Sequence, residues 1–147
     1  MAEGSIVFHV PRPPAEVWTI VADLEQAPDW VTDIISVTKE TDGPVGVGTR
    51  YSERVNVNGT EGAATMEVTR YDPPRVFANR GEGGPAKFTT MFTLEPDGDG
   101  TKVTHSYTMK MSGFMKMMEP MMKGWMRKNS EASVKKLQEL FASGAGQ

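Results

Sequence analysis

The chain has 147 residues, a net charge of −3 and no cysteine. That length suits one domain with a real hydrophobic core. The charge gives no basic footprint for nucleic acid, and the missing thiols exclude a disulfide framework, a thiol nucleophile and a thiolate metal site. Met1 to Ser5 carries no signal-peptide apolar segment, and no apolar run approaches the ~20 residues of a membrane span. The expectation is therefore a cytoplasmic protein with no membrane span.

Ser5 to Val10 alternates, with Ile6, Phe8 and Val10 on one face and Val7 and His9 on the other, so it reads as a first strand. Pro11 to Pro14 ends it and opens a helix over Ala15 to Ala22, with Val17, Trp18 and Val21 inward. Asp23 caps a second, shorter helical turn toward Trp30, interrupted by Pro28. Trp18 and Trp30 read as core or rim packing. Ile34 to Glu40 is strand, and Asp42-Gly43-Pro44 is a turn.

Thr49 to Val57 places Tyr51, Glu53, Val55 and Val57 on one face. Asn58-Gly59 is a strong hairpin signal for a type I′ turn. Gly62 to Asp72 follows, with Ala64, Met66, Val68 and Arg70 sharing a face. Such a turn pairs Glu53 with Ala64 and Tyr51 with Met66, which puts both apolar faces on one side. Pro73-Pro74 ends that strand, Arg75 to Arg80 is a short one, and Gly81 to Pro85 reads as a glycine-rich loop at a cavity mouth. Ala86 to Leu94 aligns Phe88, Thr90, Phe92 and Leu94. Pro96 to Gly100 turns the chain. Thr101 to Met111 then aligns Val103, His105, Tyr107, Met109 and Met111 opposite a polar face.

Phe114 to Ser143 is the one long helical pattern. In its second half Val134, Leu137, Leu140 and Phe141 form one stripe. Its first half is apolar over about half of the circumference at about 100° per residue. The residues are Phe114, Met115, Met117, Met118, Met121, Met122, Trp125 and Met126, beside a basic stripe of Lys116, Lys123 and Arg127. A helix covering one sheet needs less apolar surface than that. The excess must crowd the core, meet a ligand, or meet a partner such as a second copy in a homodimer. Flexible, polarisable methionine suits a surface that must fit variable shapes.

The predicted fold class is α+β: a curved seven-stranded antiparallel sheet around a long C-terminal helix, with two short helices after the first strand. Residues 1–147 form a single domain, and residues 143–147 a flexible tail. A curved sheet held around a helix leaves concave apolar space of the kind that takes small ligands.

Several stretches resemble one known superfamily over nearly the whole chain. They are Pro13-Pro-Ala-Glu-Val-Trp18, Asp23 to Trp30, Gly46-Val-Gly-Thr49, Tyr71-Asp-Pro-Pro74, Gly100-Thr-Lys-Val103 and Glu119-Pro120. The chain is similar to the START-related, Bet v 1-like superfamily, and most like its polyketide cyclase/dehydrase-type branch. The resemblance implies a helix-grip fold with a hydrophobic cavity. It also implies binding or carriage of a lipid, polyketide or similar molecule, or cyclase or dehydrase chemistry; fold alone does not choose.

Strand parity puts Glu53, Arg70, His105 and Tyr107 on the apolar face, with Tyr51, Thr90 and Arg80. His105 is the natural general acid or base, and Glu53 on an apolar face must be paired or hold a raised pKa. Arg70 would pair with Glu53 or hold a ligand carbonyl or carboxylate. A core histidine and a structural Glu53–Arg70 ion pair would give the same pattern. The candidate catalytic set is His105, Glu53 and Arg70. The candidate ligand wall is Tyr51, Met66, Val68, Phe88, Thr90, Phe92, Tyr107 and Met109 on the sheet, facing Met118, Met122, Trp125 and Met126 on the helix.

In aromatase/cyclase members that the chain resembles, an arginine at the end of the central strand works with a serine two residues earlier and a tyrosine after the short helices. Arg70 matches the arginine, but Val68 stands at the serine position and the tyrosine position falls near Ile34. That favours binding of a hydrophobic small molecule over cyclase chemistry. His9 and His105 lie on opposite-facing strand parities, so no shared metal is expected. No phosphate-binding loop or dinucleotide fingerprint appears, so no cofactor is expected.

Overall fold

A computed structural model describes residues 2–57 and 59–142. The elements run β1 (Ala2–Val10), α1 (Pro14–Val21), a 3-10 helix (Leu24–Asp29), β2 (Ile34–Lys39), β3 (Arg50–Val57) and β4 (Thr60–Asp72). Then come β5 (Val76–Gly83), β6 (Ala86–Asp97), β7 (Gly100–Met111), a second 3-10 helix (Gly113–Met118) and α2 (Glu119–Ala142). The strands form one antiparallel sheet in the order β1-β7-β6-β5-β4-β3-β2. The meander from β2 to β7 lets each strand pair with the one before it, and β1 closes onto β7. This is the sheet covered by one long helix that the alternation and the single long helical pattern predict, and the helix-grip architecture that the resemblance implies.

Local chemistry sets the boundaries. Pro14 opens α1 where a missing N–H costs nothing, and the Asp23 carboxylate accepts from the Glu25 N–H at 3.2 Å to start the first 3-10 helix. The β3–β4 hairpin pairs Glu53 with Ala64 and Tyr51 with Met66, the predicted register. Gly59 has φ +86°; Asn58 and the predicted tail at 143–147 lie outside the described residues.

Two sequence-based boundaries are corrected. Residues 81–83 continue β5 rather than forming a loop; only Gly84, with φ +56°, and Pro85 connect it to β6. Gly81 is glycine because a Cβ there would meet the Thr65 carbonyl oxygen at 2.5 Å and the Phe88 ring at 2.6 Å. The long helix is also divided. Its first turns are 3-10, and α2 begins only at Glu119-Pro120. Proline is accepted in the first turn of a helix but not inside one. The Glu119 carboxylate accepts the Met111 N–H at 2.9 Å, which ties this junction to the end of β7.

The core lies under α1 and the C-terminal half of α2. Val17, Trp18 and Val21 of α1 pack with Tyr71 and Phe77, and Trp18 meets both rings edge-on at 5.5 and 6.1 Å. Leu137 and Phe141 are fully buried, and Val134 is nearly so. Among the strands α2 lies closest to β1, with less contact to β7. Its N-terminal half leaves room over the middle of the sheet.

Candidate functional site

That room is a cavity of about 740 Å³ between the sheet and α2. Strand alternation points Met66, Phe88, Thr90, Phe92, Tyr107 and Met109 into it from β4, β6 and β7. Met115, Met118, Met122, Trp125 and Met126 close it from the helical side. The methionine excess therefore divides. These five side chains face the cavity, while Phe114 and Met117 (83% exposed each) and Met121 (73%) face solvent. A second depression of about 640 Å³ is lined largely by outward-facing polar side chains such as Thr69, Arg80, Thr89 and Ser106.

One side of the cavity is aromatic. Trp30 meets Phe92 edge-on at 5.8 Å, Phe92 stacks on His105 at 4.3 Å, and His105 tilts against Tyr107 at 5.4 Å. His105 Nδ1 lies 3.3 Å from Ser130 Oγ on α2, and its Nε2 is buried without a partner. Burial pushes the His105 pKa down to about 4, so the ring is neutral at pH 7.

Glu53, from β3, is 5% exposed, and its Oε2 has no hydrogen-bond partner. Desolvation first, and then the Asp33 charge, push its pKa up to about 7. Burial likewise raises Asp33, which also lines the cavity. Glu53 and His105 stand four strands apart, on β3 and β7. At about 4.8 Å per strand they mark separate ends of the sheet rather than one reacting pair.

Arg70 is not in the cavity. The β4–β5 register shifts between Val68 and Arg70, with Thr69 as the extra residue. One extra residue reverses the parity of everything beyond it. Arg70 therefore faces solvent and pairs with Asp72 at 3.5 Å, while Tyr71 takes the inward position. The expected contact between Arg70 and Glu53 is absent. Arg80 is also outside, paired with Glu67 at 3.3 Å.

Tyr51 and Val68 point inward but into packed core, not onto the cavity wall. The Tyr51 hydroxyl is buried without a partner, and desolvation, then Asp23 and Glu25, push it up to about 12. The remaining predicted wall residues, Met66, Phe88, Thr90, Phe92, Tyr107, Met109, Met118, Met122, Trp125 and Met126, together with Glu53 and His105, line the cavity.

Other lining residues escaped the sequence reading. Trp30 is on the wall with its indole N–H unpartnered, and Asn79 accepts from the Thr90 hydroxyl at 2.9 Å while its amide nitrogen lacks a partner. Ser130 and Ser133 continue the stripe of Met122 and Met126 at three- and four-residue steps, a signal present in the sequence. Asp33 lies before β2, where no periodicity marks a face. Among the described residues no cluster of three or more His, Cys, Asp or Glu could hold a metal, and no helix is long and apolar enough to cross a membrane.

Residues 1–142 match the family model described as polyketide cyclase / dehydrase and lipid transport. The chain belongs to that family. An uncharacterized protein of Mycobacterium tuberculosis is 26% identical over 102 residues, 69% of this chain and 71% of the relative. A START superfamily protein from Mycobacterium smegmatis has a TM-score of 0.82 at 19% identity, covering 95% of this chain and 96% of that one. The ZhuI aromatase/cyclase from Streptomyces sp. R1128 has a TM-score of 0.76 at 19% identity, covering 93% and 91%. The protein Ara h 8.0201 has a TM-score of 0.74 at 18% identity, covering 97% and 98%. At these identities the solved structures establish the fold.

Proposed function

We propose that the protein binds or carries a hydrophobic small molecule in the cavity between the sheet and α2. The observation that carries this reading is the cavity of about 740 Å³, whose wall is mostly apolar and rich in methionine and aromatic side chains. Such a space is costly to leave to water and matches the size and lining of small-molecule sites. The methionines adapt to the shape of the ligand, and the aromatic side gives it a flat surface. Mass spectrometry of an organic extract of the purified protein tests the reading. A stoichiometric apolar molecule is the expected result. A protein that neither yields such a molecule nor takes up added apolar ligands would contradict it.

A second reading, acid–base chemistry on the bound molecule, is supported by Glu53. Its carboxyl titrates near neutrality, where a general acid or base is most effective. His105 is the less suited of the two, being neutral through the physiological range. On this reading Glu53→Gln abolishes turnover of a substrate while its binding is kept. Unchanged kinetics in that variant would remove the enzyme reading.

A further inference from the structure

The cavity wall is one-sided in charge. It includes three carboxylic acids, Asp33, Glu53 and Glu61, and no lysine or arginine. Glu61 is at the surface and pairs with Arg54 at 3.5 Å. Asp33 and Glu53 have no such neighbour on the wall. The helical side opposite them adds only methionine, tryptophan, asparagine, serine and valine, and the one other titratable nitrogen, on His105, is four strands away. Glu53 is buried, borders the cavity, and keeps one oxygen without a partner. A buried carboxyl left this way is costly unless something in the cavity answers it.

Resting on the binding reading above, we propose that the cavity takes an apolar ligand that carries an amine, with the ammonium seated between Glu53 and Asp33. An ammonium supplies the donors that Glu53 Oε2 lacks and offsets both carboxylates. The same wall opposes a fatty-acid-like ligand at this end, because a third carboxylate would join two that already repel.

The test uses three probes with one alkyl chain, decylamine, decan-1-ol and decanoate, titrated into the full chain by calorimetry at pH 7.5. The amine should bind about tenfold or more tightly than the alcohol, and decanoate most weakly. Glu53→Gln should narrow the amine-to-alcohol ratio below about threefold while alcohol binding persists. At pH 6, where Glu53 is protonated in the free protein, uptake of the amine should release a proton, seen as a buffer-dependent heat that the alcohol lacks. Asp33→Asn and the proton release carry the test if Glu53→Gln does not fold. Equal binding of amine and alcohol, tighter binding of decanoate, or an amine preference that survives both variants would overturn this inference and leave hydrophobic binding standing. Failure of all three probes would contradict the binding reading itself, and the amine inference with it.

Discussion

Glu53 and His105 sit in the same cavity, yet burial moves their proton equilibria in opposite directions. The Glu53 carboxyl rises from 4.5 to about 7. Its contribution to stability is therefore full below pH 4.5 and is lost as pH rises through about 7. The His105 ring falls from 6.5 to about 4, so its contribution is full above pH 6.5 and is lost as pH falls through about 4. Between pH 4.5 and 6.5 the two slopes oppose each other, each at most about 1.4 kcal/mol per pH unit. Urea unfolding of the ligand-free chain should show this. Stability rises with pH across that window in Glu53→Gln and falls in His105→Gln, with the parent chain between them. One common profile for all three would show that these groups are not shielded as described. Both residues were legible in the sequence, because polar groups on an alternating apolar face stand out. Arg70 was misread because Thr69, the residue that makes the bulge, looks like any other outward strand position.

At the scale of elements, the N-terminal part of α2 has two faces with different duties. Met126 lines the cavity, whereas Met121 is 73% exposed. Met126→Lys should abolish uptake of an uncharged apolar probe, since it brings a charge into the cavity. Met121→Lys should leave uptake unchanged and move stability by less than about 0.5 kcal/mol. Equal effects at the two positions would mean that the helix does not face the sheet as described. In β5, Gly81→Ala should destabilise by about 1–3 kcal/mol, because the added Cβ collides with the Thr65 carbonyl and the Phe88 ring. A neutral effect in urea unfolding would contradict that packing. Periodicity made the helix visible, and Glu119-Pro120 was there to mark its true start. The extension of β5 through residues 81–83 was not visible, because glycines packed against a neighbouring strand and glycines in a loop spell the same sequence.

For the whole molecule, topology followed from simple rules. Six alternating segments, β2 to β7, form an antiparallel meander, β1 closes onto β7, and α2, the only long helix among the described residues, must cover the sheet. The volume left between them is a property of curvature and of where α2 lies, and neither is written in the pattern of any one segment. The central claim is that this volume takes up apolar molecules. Calorimetric titration with decan-1-ol tests it most directly, in the parent chain and in Met126→Lys. The account predicts saturable binding with a negative heat-capacity change in the parent and none in the variant. The absence of binding in the parent, or the same binding in both proteins, would contradict it.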